Sequence, residues 1–142
     1  MNSTTLAAAA APLSTHRAAG VAAFGGRVAI AAIFILSGAS KLAAPAGTIG
    51  YIASAGLPLP TLAYAVAVAV ELLGGIALIL GYRTRFVAAA LAVFSVAAAF
   101  GFHNQLADQN QFIHFFKNIA IAGGLLQIVA LGAGRVALDA RR

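Results

Sequence analysis

Residues 62–80 form an apolar run broken by a single charge, Glu71, and the run stops at Gly81. A helix of that length crosses about 30 Å of hydrocarbon at about 1.5 Å per residue. A carboxylate near its middle costs a few kcal/mol even on lenient insertion scales. Such a group faces the interior of a bundle, and there it either pairs with a cation or marks a ligand or proton site. The rest of the sequence can be read by asking what meets Glu71.

The chain is 62% hydrophobic and 8% charged, which excludes an ordinary soluble domain. Its 142 residues suit one domain. The net charge of +6 is spread along the chain without a basic run or an aromatic-studded basic face, so no nucleic-acid partner is expected. The absence of cysteine removes thiol chemistry and iron–sulfur ligation from this chain, and no covalently bound cofactor is expected.

Four spans are predicted, at about residues 21–44, 62–80, 86–102 and 112–134, giving an all-α integral membrane four-helix bundle in a domain covering 21–142. Residues 1–20 read as a flexible tail. A rival reading makes 28–36 the core of a cleaved signal peptide, with Ser37, Gly38 and Ala39 near the cut. Only thirteen residues separate Arg27 from Lys41, so both are expected at the membrane edges, snorkelling outward. The fourth span reaches full length only by drawing in His114, Lys117 and Asn118.

Four crossings put both termini on one side, which carries all seven arginines, Arg17, Arg27, Arg83, Arg85, Arg135, Arg141 and Arg142. The other side has only Lys41 and Lys117. The positive-inside rule then predicts cytoplasmic termini. The tight turn at 82–85 makes the second and third spans antiparallel neighbours. In the longer 45–61 connection, 46–55 suits a short interfacial helix with Tyr51 at headgroup level, and Gly56-Leu57-Pro58-Leu59-Pro60 suits a rigid entry to the next span. Gly74-Gly75 and Gly123-Gly124 form a faint internal echo, either of a duplicated hairpin or simply of close helix packing.

Helical spacing places Glu71, Gly74, Gly75 and Leu78 on one face, and His114, Lys117, Asn118 and Ile121 on another. Glu71 is expected inside the bundle, paired with Lys41 or Lys117. Either the pair only fixes helix register, or it belongs to a ligand or proton site. The candidate residues for such a site are Lys41, Glu71, His103, His114, Lys117 and Asn118, around a cavity in the outer half, and no catalytic residue stands out. His103 and His114 also suit ordinary interfacial roles. With Asp108 they follow no metal-ligand spacing, so no metal is expected. Phe100, Phe102, Phe112, Phe115 and Phe116 read as an aromatic belt or as walls of a planar-ring pocket.

Several segments together are familiar. Arg27, Phe34, Gly38, Lys41 and Leu42 give R-x6-F-x3-G-x2-K-L; Gly56-Leu57-Pro58-x-Pro60, Glu71-Leu72-Leu73-Gly74-Gly75 and Gly81-x-Arg83-Thr84-Arg85 follow, then Phe116-Lys117-Asn118-Ile119-Ala120 and Gly123-Gly124-Leu125-Leu126. This ordered set resembles the DoxX family of small four-span bacterial membrane proteins. The resemblance implies an association with thiosulfate:quinone oxidoreductase subunits or with membrane partners of sulfur- or superoxide-handling proteins. It carries over Lys41, Glu71, Lys117 and Asn118 as family-typical polar positions without a catalytic role. Electron transfer through a chain without cysteine needs a quinone, a partner's cofactor or both.

Three functions compete: a subunit of a membrane oxidoreductase complex that binds quinone or another small lipophilic ligand beside a redox partner, a non-catalytic anchor or assembly factor, and a small proton-coupled transporter. Lys, His and Asn donors beside phenylalanines suit the two carbonyl acceptors of a quinone. Neither oligomeric state nor ligand identity follows from the sequence.

Overall fold

The computed structural model describes residues 13–141, with side chains from residue 17 onward. In chain order it holds α1 (Leu13–Ala43), α2 (Pro45–Ser54), α3 (Pro60–Leu80), α4 (Thr84–Phe102) and α5 (Gln109–Leu131), then a 3₁₀ turn at Leu138–Arg141. Among the described residues there is no strand. Helices α1, α3, α4 and α5 are long and apolar enough to cross a membrane. Their outward-facing side chains, Leu36, Leu73, Val93 and Leu126 among them, are apolar and exposed, as a lipid-facing surface must be.

Local chemistry sets the helix ends. Pro45 and Pro60 open α2 and α3, where a missing N–H costs nothing. Asp108 caps α5 by accepting from the Gln111 amide at 2.8 Å, so this helix starts at Gln109 rather than near 112. It stops at Leu131 because Gly132 and Gly134 take positive φ. At the other end of the sequence, helix α1 reaches back to Leu13, so 13–20 is helical instead of tail. Alanine-rich sequence propagates a helix readily, and Gly20 is buried near Arg135. Residues 1–12 of the expected tail lie outside the described residues.

Packing divides the spans into two pairs. α1 lies along α3, α4 lies along α5, and α3 meets α4 less extensively across the turn that joins them. The α1–α3 approach depends on glycine at two positions. A Cβ on Gly38 would fall 2.8 Å from Leu72 Cγ, and one on Gly75 would fall 2.7 Å from Ile35 Cγ1. Between the pairs runs a core of Ala31, Phe34, Leu78, Ala88, Leu91, Ala92, Ala122 and Leu125. The second pair of echoed glycines is packed more loosely: a Cβ on Gly123 would meet nothing within 4 Å, and one on Gly124 only Ile30 Cδ1 at 3.3 Å. Short helix α2 packs on α3 across the end of the bundle that carries Lys41, and Tyr51 stacks on Phe102 of α4 with centroids 5.5 Å apart.

At the arginine-rich end the structure corrects one expectation. Arg27 does not snorkel outward; it is 1% exposed. Its Nη1 donates to the Leu78 carbonyl at 3.0 Å and to that of Ile79 at 3.5 Å, and its Nη2 donates to the Val136 carbonyl. These acceptors include carbonyls of the last turn of α3, which no intrahelical N–H can serve. The guanidinium therefore finds better partners inside than a long reach to water would give. The C-terminal segment folds under the same end. Asp139 accepts from the backbone N–H groups of Arg83 and Thr84 at 2.8 and 2.7 Å, capping α4 from a distant part of the chain. Gly81, at φ 67°, closes α3 where any Cβ would collide with Ala137 and with Arg27 itself.

Candidate functional site

The close α1–α3 crossing brings Ser37 and Lys41, one helical turn apart on α1, against Glu71 on α3. Lys41 Nζ lies 2.9 Å from Glu71 Oε1. It also donates to Ser37 Oγ at 2.7 Å, and Ser37 Oγ donates to Glu71 Oε1 at 3.0 Å. Three side chains thus close a small ring of charge-assisted hydrogen bonds. Glu71 is 4% exposed. Its second oxygen, Oε2, is buried with no hydrogen-bond partner. Burying an ion pair in this way costs several kcal/mol of desolvation, repaid only where every oxygen is satisfied, and here one is not.

That residue lines a cavity of about 450 Å³ walled by residues of all five helices and open on one side, within the range of small-molecule sites. Ser37 and Lys41 line it from α1, Lys117 and Asn118 from α5, and His103 from the end of α4. Its apolar walls include Phe34, Phe94, Ile121 and Val66, and α2 contributes Tyr51 and Ile52. The lining therefore carries two lysines against one carboxylate.

The remaining candidates surround this cavity unequally. His114 is not among its lining residues. The His114 ring stacks on His103 at 5.0 Å, and its Nδ1 accepts from Lys117 Nζ at 2.7 Å. The acceptor role follows because an ammonium only donates. His103 Nδ1 lies 2.8 Å from Gln111 Oε1 and must donate to it, since that oxygen only accepts. Asn118 Nδ2 donates to the His114 carbonyl at 3.0 Å. Among the described residues, no three histidine, aspartate or glutamate side chains gather where they could hold a metal ion. Phe100, Phe112, Phe115 and Phe116 pack on one another in edge and tilted contacts away from the cavity, while Phe102 belongs to its wall.

Sequence reasoning passed over three contributors. Ser37 sits one turn before Lys41, a polar residue on the same helix face, and that spacing was its signal. Phe34, one turn earlier on that face, carried the same signal. Tyr51 and the rest of α2 carried no signal for cavity lining beyond an interfacial position.

Comparison with known proteins decides the family. The DoxX family model matches residues 22–104, which hold α2, α3, α4 and most of α1. The chain belongs to the DoxX family. Among relatives, it is 35% identical over 120 residues to Inner membrane protein YphA of Escherichia coli (strain K12), covering 81% of this chain and 86% of that protein. It is 33% identical over 116 residues to Inner membrane protein YqjF of the same organism, covering 80% and 85%. No solved structure matches. With four membrane-spanning helices and inner membrane relatives, this DoxX protein is a multi-pass inner membrane protein. The DoxX match includes Ser37, Lys41, Glu71 and His103 and stops short of His114, Lys117 and Asn118.

Proposed function

We propose that this DoxX protein is the membrane subunit of an oxidoreductase complex and holds a ligand of the quinone class in the cavity beside Glu71. One observation carries the reading: a buried carboxylate oxygen without a partner, in a residue that lines a mostly apolar cavity also bordered by two lysines. A planar ring suits the Phe34 and Phe94 walls, its oxygens suit the polar side chains, and an apolar tail suits the lipid side. The chain holds no cysteine, so electrons would arrive from a partner protein's cofactor. The ion pair weighs against a proton-coupled carrier, because Lys41 at 2.9 Å already neutralises Glu71.

Thermal unfolding in detergent micelles tests this. Tetramethyl-1,4-benzoquinone, or its hydroquinone, should raise the melting temperature of the native chain by several degrees. Ala67→Phe, which fills the cavity, should remove the shift. No shift with either compound would sink the proposal and leave an anchoring role, and an equal shift in Ala67→Phe would place the ligand elsewhere.

The same reading sets the cavity end toward the periplasm and the arginine-rich end toward the cytoplasm. In this cysteine-free chain, Ser54→Cys and Gln109→Cys should react with an impermeant thiol reagent in intact cells, and Arg83→Cys should not. Reversed labelling would invert the orientation.

A further inference from the structure

The need of one atom of a cavity-lining residue is sharply defined. Lys41 and Ser37 both donate to Glu71 Oε1, the Lys41 ammonium forming an ion pair with the carboxylate, and a carboxylate only accepts. Oε2 is shut off from water and receives nothing, so a ligand meets it only after a small rotation of the carboxylate and must then bring an N–H or O–H. The α5 side has the opposite need. Lys117 spends one N–H on His114 Nδ1, and Asn118 spends one on the His114 carbonyl, which leaves each with N–H groups to give. The cavity thus has an acceptor on the α3 side and donors on the α5 side.

A quinone carries two carbonyl acceptors and no donor. It satisfies the α5 side, but toward α3 it sets lone pairs against a carboxylate and leaves Oε2 unpaired. The hydroquinone carries a hydroxyl at each end. One O–H donates to Glu71 Oε2, and the other oxygen accepts from Lys117 or Asn118. We propose that the cavity selects the reduced, hydroxyl-bearing form of its ligand over the oxidised form, with Glu71 Oε2 as the discriminating atom. This rests on the quinone-class reading of the same cavity. Because a buried acceptor left unmade is penalised while a made one is not, the hydroquinone should bind about tenfold or more tighter. Tenfold selectivity raises the two-electron potential of the bound couple by about 30 mV relative to the free couple.

The test uses the full chain in micelles under anaerobic conditions. Three ligands are titrated calorimetrically: tetramethyl-1,4-benzoquinone, tetramethylhydroquinone, and the dimethyl ether of the latter, which keeps the ring and removes both donors. The hydroquinone should show a Kd about tenfold or more below the other two. In Glu71→Gln the side-chain amide offers a donor to the quinone, so the gap should shrink to about twofold; should that variant fail to fold, the three-ligand comparison on the native chain decides alone. Equal affinities, or a tighter quinone, would overturn the selectivity and leave the cavity reading intact. Binding by none of the three would overturn both.

Discussion

Arg27 and Glu71 are both charged, both almost wholly buried, and both held by contacts between α1 and α3, yet Arg27 sits at one end of the bundle and Glu71 near the middle of α3, and they are treated differently. Arg27 is turned inward onto backbone carbonyls of its own chain, and glycine-tight packing closes over it. Its remaining orphan atom, Nε, does not border the cavity beside Glu71. Glu71 is held on one side only, and the space beside it stays open. A bundle that needed only register could have closed both sites as it closed the first. The difference separates a charge used to fasten helix ends from a charge kept partly in reserve.

The comparison is broken most easily at Arg27. Arg27→Met should cost about 4 kcal/mol, since it removes charge-assisted bonds to carbonyls that stay buried. Arg27→Lys should recover less than half, because an ammonium cannot fork between two segments. Unfolding by SDS in mixed micelles measures both, and a loss below about 1 kcal/mol would mean that the clamp is ornamental.

A smaller effect is expected at the open site. Lys41→Met should cost about 3 kcal/mol by stranding the carboxylate, and Glu71→Gln only about 1 kcal/mol, since it removes the need for a counter-charge. Lys117→Met should change stability little, because this exposed lysine contacts His114 instead of the carboxylate. A Lys117→Met loss equal to that of Lys41→Met would show that both lysines hold Glu71. Smallest of all, Asp139→Ala should cost about 1 kcal/mol through the lost cap on α4. It should also raise amide exchange at Arg83 and Thr84, and unchanged exchange there would remove Asp139 from the closed end.

Much of this was legible in the sequence because a bilayer enforces simple rules. Glu71 stood out as a charge in an apolar run, and Pro45, Pro60 and Gly81 marked helix ends that the structure reproduces within a residue or two. The choice between Lys41 and Lys117 was not legible. Spacing along one helix fixes which face a residue occupies, but the partner across the gap depends on how closely two helices approach, here on Gly38 and Gly75. Arg27 was misjudged for a related reason. Topology rules treat a flanking arginine as a group seeking water, and nothing local to residue 27 shows that residues 132–141 return beneath it. The only hint was an acidic residue, Asp139, standing alone beyond the last span and its two glycines.

The Arg27 clamp also has an order in time. During synthesis α1 is complete long before its acceptors exist, since the Leu78 carbonyl follows Arg27 by 51 residues and that of Val136 by 109. Until then the guanidinium must find water or other partners, as a long side chain can by snorkelling, so its final contacts cannot form when α1 first emerges. A nascent chain halted before residue 136 carries a cation whose final partner is missing. The clamp therefore closes only once residue 136 has been made.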